Sequence, residues 1–338
     1  MDSTTRTALV IGATGGIGGE AAAALLRSGW RVRGLNRNPE AAAKRQGAGA
    51  GVEWVAGDAM NAAEVRRAAE GVSVIVHAAN PPGYRNWRGL ALPMLDNTIA
   101  AAEATGATIV FPGTVYNFGP DAFPLLSETS PQKPKTRKGA IRVEMEARLE
   151  AAAGRGVRTI IVRAGDFFGP RPGNSWFSDA MVRKGKPLRS VMNPMRPGVG
   201  HAWAYLPDVA ETMARLVERR DELESFAVFH FGGHWFDDNA DLAKAALRVA
   251  GRPDGKVRAF PWWALVAISP FVTFARETME MRYLWRVPIR LDNRKLVAVL
   301  GEEPHTPLEV ALRAALAGAG ALGDVAAEAD GSRAAISP

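Results

Sequence analysis

The stretch "ALVIGATGGIGGEAAAALLRSG", residues 8 to 29, constrains the fold more than any other part of the chain. Its first apolar run reads as a strand ending at Gly12, and the Ala/Leu-rich run after Gly18 reads as a helix reaching about Ser28. Between them Gly12, Gly15 and Gly18 stand at the spacing of a dinucleotide-binding turn. Gly12 permits the tight turn, Gly15 lets the backbone approach a pyrophosphate, and Gly18 lets the helix pack close to the strand. Thr14, Gly16 and Ile17 complete the loop and count with it as cofactor-binding residues.

The same grammar repeats downstream. The β-rich runs "WRVRGLN", "VEWVAGD", "VSVIVHAA", "ATIVFPG" and "VRTIIVRAG" alternate with Ala-rich helical stretches, the pattern of a parallel sheet covered on both faces. "FAVFHFGG" predicts one more buried strand, near 226–231, returning to that sheet. The expected fold class is therefore α/β, a Rossmann-type doubly wound parallel sheet at residues 1–170. A smaller C-terminal substrate-binding region follows at 171–316, and a loose Ala/Gly-rich tail at 317–338. "FFGPRPGNSWF" and "MNPMRPGVGHAW", rich in Pro and Gly, are expected as loops over a pocket.

Composition narrows the function classes. With 338 residues and 47% hydrophobic content the chain can bury a sizeable core. It has no Cys, hence no disulfide, thiol nucleophile or thiolate metal site, and its five scattered His give no metal-ligand spacing; no metal is expected. The formal charge of +7 is interspersed with acids rather than packed in a basic block, which disfavours nucleic acid and suits a small molecule needing a few local cations. No run is long enough to span a bilayer and the N-terminus lacks a signal-peptide core, so a soluble, cytoplasmic protein is the expectation. The most apolar segment, "FPWWALVAISPFVTFA", is interrupted by Pro270 and is expected as a buried helix rather than a membrane contact.

The second predicted strand ends "RGLNRNP", where a site that selects NAD offers a carboxylate to the adenosine ribose. Asn36 and Arg37 stand there instead. An Arg can pair with a 2′-phosphate and no acid repels it, so NADP is expected over NAD; the alternative is a solvated turn residue. Asp58 in "VAGDAM" follows a strand's C-terminal end, from which it can accept from the adenine amino group or cap the next helix.

"TRKGAIRVEMEARLEAA", residues 136 to 152, reads as a helix that opens with opposing charges. Lys135, Arg137, Lys138 and Arg142 crowd an end where free N–H groups already make the field positive. Either they lie on a solvated face, or they are aimed at an anion or a reacting group.

Several motifs carry a resemblance: the three glycines, Asp58, "HAA" at 77–79, Asn97, "TVYNFGP" at 114–120, "RAGDFFGP" at 163–170 and "AYLPDVAETMARLVE" at 204–218. In this order the chain resembles the extended short-chain dehydrogenase/reductases, the NAD-dependent epimerase/dehydratase family, to about Leu316. The resemblance implies that Ala78 and Ala79 border the cofactor and that His77 is structural. It also implies a helix carrying Tyr-x-x-x-Lys, the Tyr moving the proton and the Lys holding the nicotinamide ribose. In the register set by Gly139 and Glu146, this chain has Lys138 for the Tyr and Arg142 for the Lys, one turn apart on one face. Arg142 can still donate to a ribose, and burial beside Arg142 would disfavour the charge on Lys138 and make it a workable acid. Thr114 is left to orient a substrate carbonyl, and Tyr116 is either a replacement acid or a packed ring.

The implied activity is hydride transfer between NADP(H) and a carbonyl or secondary alcohol. Its alternatives are nucleotide-sugar epimerisation or dehydration, and a non-catalytic NADP-binding regulator. Rings in the second half, Trp176, Phe177, Trp203, Trp262, Trp263 and Phe271 among them, are expected mostly as packing, and a pocket sharing a few of them would prefer an apolar or ring-bearing substrate. Arg171 and Arg183 are available for a carboxylate or phosphate. The family further implies a homodimer through the helices near 88–105 and 138–153.

Overall fold

The computed structural model describes residues 6–46, 51–81, 86–171, 173 and 175–322. The first half reads β1 (Thr7–Ile11), α1 (Gly16–Arg27), β2 (Arg31–Asn36), α2 (Pro39–Gln46), β3 (Val52–Ala56), α3 (Ala62–Ala69), β4 (Val74–His77), α4 (Trp87–Thr105) and β5 (Thr108–Thr114). Then come β6 (Leu125–Leu126), α5 (Arg137–Ala153), β7 (Thr159–Ala164), β8 (Asp166–Phe168), β9 (Ser190–Asn193), β10 (His201–Tyr205), α6 (Leu206–Glu218) and β11 (Phe226–His230).

Seven strands form one parallel sheet in the order β11–β7–β5–β4–β1–β2–β3. Alternation along β1 explains why both faces are covered. Ala8 and Val10 join Leu25 of α1 and Met213 of α6 in one core, while Leu9 and Ile11 join Leu95 of α4 and Met145 of α5 in another. Successive side chains leave a strand on opposite faces, so a strand apolar at every position needs a helical layer on each side. The expected late strand is β11, which pairs with β7 at the sheet edge. From β1 the chain builds outward to β3, then returns to β4 on the other side of β1. The carboxyl ends of β1 and β4 therefore frame a switch-point crevice.

The second half adds β12 (His234–Phe236), α7 (Ala240–Val249), β13 (Lys256–Ala259), α8 (Trp262–Ile268), α9 (Thr273–Glu280), β14 (Arg290–Leu291), α10 (Arg294–Leu300) and α11 (Leu308–Gly318). Its strands make three small sheets, β12–β10–β8, β13–β9 and β14–β6, the last tying this half back to the first. Phe177, Trp203, Trp285, Leu247 and Leu312 fill its core. "MNPMRPGVGHAW" is less of a loop than expected, since it begins in β9 and ends in β10 with its prolines confined to the turn between.

Two other expectations are corrected. Ala319 and Ala321 are buried, and their carbonyls accept from Gly185 and Leu188, so the packed chain runs past the expected boundary at Ala317. The rest of the expected tail, 323–338, lies outside the described residues. The apolar segment from Phe260 onward is not a buried helix, because no residue of α8 is buried and Trp263 and Phe271 are 78% and 88% exposed. Trp262 packs inward against Trp176, and the outward face is left bare.

Candidate active site

Gly12 closes β1 with a φ of +96°, and a Cβ there would lie 2.6 Å from the Ala78 carbonyl oxygen. A Cβ on Gly18 would lie 2.3 Å from the Gly12 carbonyl oxygen. Only hydrogen fits at either position, which is how α1 comes to rest against the ends of β1 and β4. Gly15 differs: it is the N-cap of α1, a Cβ there would lie 3.3 Å from the Gly12 carbonyl oxygen, and the first turn has neither a side-chain cap nor an acid. The amides of that turn are left to the crevice, where the helix field favours an anion. A dinucleotide pyrophosphate fits this cradle.

The positions expected from the sequence line a single cleft of about 1740 Å³. Gly12, Thr14, Gly15, Gly16, Ile17 and Gly18 form its floor, with Ala78 and Ala79 beside them. Asn36, Arg37 and Asp58 line one end, and Thr114, Tyr116, Lys138 and Arg142 line the middle. Arg45 of α2, which the sequence reading missed, joins exposed Arg37 at the first end, and neither makes an ion pair among the described residues. Asn36 Oδ1 accepts from the Asn38 amide at 2.8 Å, and Asp58 Oδ1 from the Met60 amide at 3.0 Å, so both also shape their turns. Asn97 is structural, donating to the Ala59 carbonyl at 2.9 Å.

The crowded cations of α5 find their partners elsewhere in the chain. Lys138, 3% exposed, donates to the Glu277 carbonyl at 2.8 Å and lies 3.2 Å from its carboxylate. Arg137 pairs with the same carboxylate at 3.0 Å and with Glu280 at 3.8 Å. Burial pulls the Lys138 pKa below its ordinary value, Glu277 and Glu280 oppose the fall, and Arg137 adds to it. The expected influence of Arg142 on that ammonium is replaced by Arg137, because Arg142 turns away to lie 5.2 Å from the Trp87 ring centre and 5.4 Å from that of Phe111.

His77 sits next to this arginine. Its Nδ1 is 2.7 Å from Thr98 Oγ1 while Nε2 is buried without a partner, and burial, aided by Arg142, lowers its pKa to about 3. Thr114 Oγ1 accepts from the Tyr116 amide at 3.3 Å, fixing the turn that carries both residues. A Cβ on Gly139 would lie 2.2 Å from the Tyr116 carbonyl oxygen, so this glycine lets α5 approach the turn.

Other placements depart from the sequence reading. Arg171 pairs with buried Glu20 at 3.0 Å and braces α1; burial pushes the Glu20 carboxyl up, and Arg171 holds it down. Arg183 does line the cleft, together with Lys186, Arg189 and Arg258. Asp166, a lining residue not singled out from sequence, is 2.8 Å from Nε2 of buried His201, whose ring stacks on Trp285 at 4.7 Å. Among the described residues no three His, Cys, Asp or Glu gather to hold a metal, and no helix is long and apolar enough to cross a membrane.

Comparisons with known proteins agree with this fold. The model of the NAD dependent epimerase/dehydratase family matches residues 8–232. Uncharacterized protein y4nL of Sinorhizobium fredii (strain NBRC 101917 / NGR234) is 30% identical over 199 residues, covering 53% of this chain and 55% of that protein. The chain thus spans about half the length of this curated relative. UDP-glucuronic acid 4-epimerase from Bacillus cereus, solved with NAD, is similar in fold, with a TM-score of 0.70 and 16% identity over 93% of this chain and 98% of that one. A double mutant of dTDP-glucose 4,6-dehydratase from Streptomyces venezuelae, with NAD bound, gives 0.69 and 18% over 92% and 96%. Because the family match runs through the whole sheet that builds the cleft, the chain belongs to the NAD dependent epimerase/dehydratase family.

Proposed function

We propose that the protein is an NADP-dependent oxidoreductase acting on a carbonyl or secondary alcohol of an apolar or ring-bearing substrate. The observation that carries this reading is the continuity of one cleft, from Arg37 and Arg45, past Gly15, to Thr114 and Tyr116, and on to Trp176 and Phe260. When bound, NADP(H) supplies the hydride chemistry. The chain supplies position and a proton. The first turn of α1 takes the pyrophosphate, Arg37 and Arg45 take the 2′-phosphate, and Arg142, braced by Trp87 and Phe111, takes the nicotinamide ribose. Tyr116 donates the proton and Thr114 orients the carbonyl, while Lys138, committed to Glu277, clamps the wall. We also propose a homodimer through α4 and α5, which already lie side by side with Arg88 and Glu144 2.7 Å apart.

A second reading, nucleotide-sugar epimerisation or dehydration, is favoured by Arg183, Lys186, Arg189 and Arg258 at the outer end, which suit a diphosphate. Following NADPH consumption against a panel of aldehydes and ketones separates the two. Net consumption with a ring-bearing carbonyl supports the oxidoreductase. No consumption, together with a nucleotide cofactor retained through dialysis and conversion of a nucleotide sugar, rejects it.

A further inference from the structure

Five of the eight exposed large apolar side chains of the described residues fall within residues 263–272. Trp263, Val266, Ile268, Phe271 and Val272 are 78, 48, 44, 88 and 41% exposed, whereas Met60, Leu125 and Val310 are scattered singly. Such a gathering is unusual on a protein surface, where lone apolar residues are ordinary and contiguous ones mark contacts. The helix is nevertheless held firmly from within. Trp262 Nε1 donates to the Pro194 carbonyl at 2.8 Å, and its ring packs against Trp176 and Phe260.

A cluster of cations stands at the first residue of the same helix, Trp262. The Arg282 guanidinium stands 5.3 Å from the Trp262 ring centre, and burial, followed by the nearby charges of Arg286 and Arg196, lowers its pKa. Among the described residues none of the three arginines makes an ion pair. With no acid paired to it, this cluster suits an occupant that brings negative charge of its own. A bilayer with anionic headgroups offers the opposite charge in the plane where acyl chains accept Trp and Phe. The same segment reaches the cleft, since Arg258, Phe260 and Leu265 line it.

We infer that α8 and the turn after it, flanked by Arg196, Arg282 and Arg286, form a docking surface for an anionic lipid bilayer, with the outer end of the cleft beside it. The docking is peripheral, and it does not depend on which reaction the cleft performs. Sedimentation of the full chain with phosphatidylcholine vesicles, with and without phosphatidylglycerol, tests it. The protein pellets with the phosphatidylglycerol vesicles, raised salt weakens this, and Trp263→Ser with Phe271→Ser reduces partition by about tenfold or more with cofactor binding unchanged. Arg282→Gln with Arg286→Gln removes the preference for phosphatidylglycerol. Failure to bind either vesicle, unchanged binding by the Trp263/Phe271 variant, or a dimer that this variant dissolves would overturn the inference.

Discussion

The Lys138 ammonium and the Glu277 carboxylate lie 3.2 Å apart with both side chains almost wholly withdrawn from water, so α5 and α9 meet through a buried ion pair. The Glu277 carbonyl takes a further Lys138 proton at 2.8 Å. Each charge depends on the other here, because removing one partner strands its counterpart in a medium that solvates it poorly.

Glu277→Gln is therefore expected to destabilise the protein by roughly 3 kcal/mol at neutral pH in urea unfolding. Lys138→Met costs less, because Glu277 keeps Arg137 at 3.0 Å. The pH dependence has a defined sign. The folded Lys138 pKa lies below the ordinary 10.5, so across the window up to that value the unfolded chain holds the extra proton and stability rises with pH. Glu277→Gln widens that window downward, and a variant as stable as the parent at every pH would contradict the pairing.

Turnover separates the two candidate acids. With a substrate in hand, Tyr116→Phe is expected to lower kcat by about a hundredfold or more while leaving NADPH affinity nearly unchanged. Lys138→Met keeps most of kcat once its lower stability is allowed for. The reverse pattern would make Lys138 the proton donor and Tyr116 a packed ring.

His77 predicts an acid-side loss of stability. Thr98 Oγ1 donates to the Met94 carbonyl at 3.1 Å and so accepts from His77 Nδ1–H, leaving Nε2 bare in a buried site beside Arg142. The folded pKa is about 3 against an ordinary 6.5, so the unfolded chain takes up a proton first and stability falls as pH drops through that interval. The slope from one such histidine is roughly 1.4 kcal/mol per pH unit. Urea unfolding of His77→Leu between these limits should show a shallower slope, with the contribution of His230, also lowered to about 3, remaining. An unchanged slope would refute the assignment.

The sheet and the glycine cradle were legible in the sequence because their causes are local. Gly12 and Gly18 meet within one turn, and the alternating burial of β1 follows from its own residues. Glu277 was not legible, since nothing near Lys138 in the chain announces a carboxylate 139 positions away. Arg171 was expected at the substrate because its partner, Glu20, sits inside an Ala-rich helix that gave no sign of facing it. The exposed face of α8 was missed for a different reason. An apolar run reads as buried on composition alone, and only the tertiary arrangement shows that no element among the described residues covers it.

The NADP assignment is tested most directly by paired equilibrium titrations of NADPH and NADH, on the parent and on Arg37→Ala with Arg45→Ala. Two guanidiniums at the Asn36 end of the cleft, with no ion pair among the described residues, predict that NADPH binds about tenfold or more tightly than NADH and that the double variant loses this preference while keeping its NADH affinity. Equal affinities in the parent, tighter NADH, or a preference that survives loss of both arginines would contradict it.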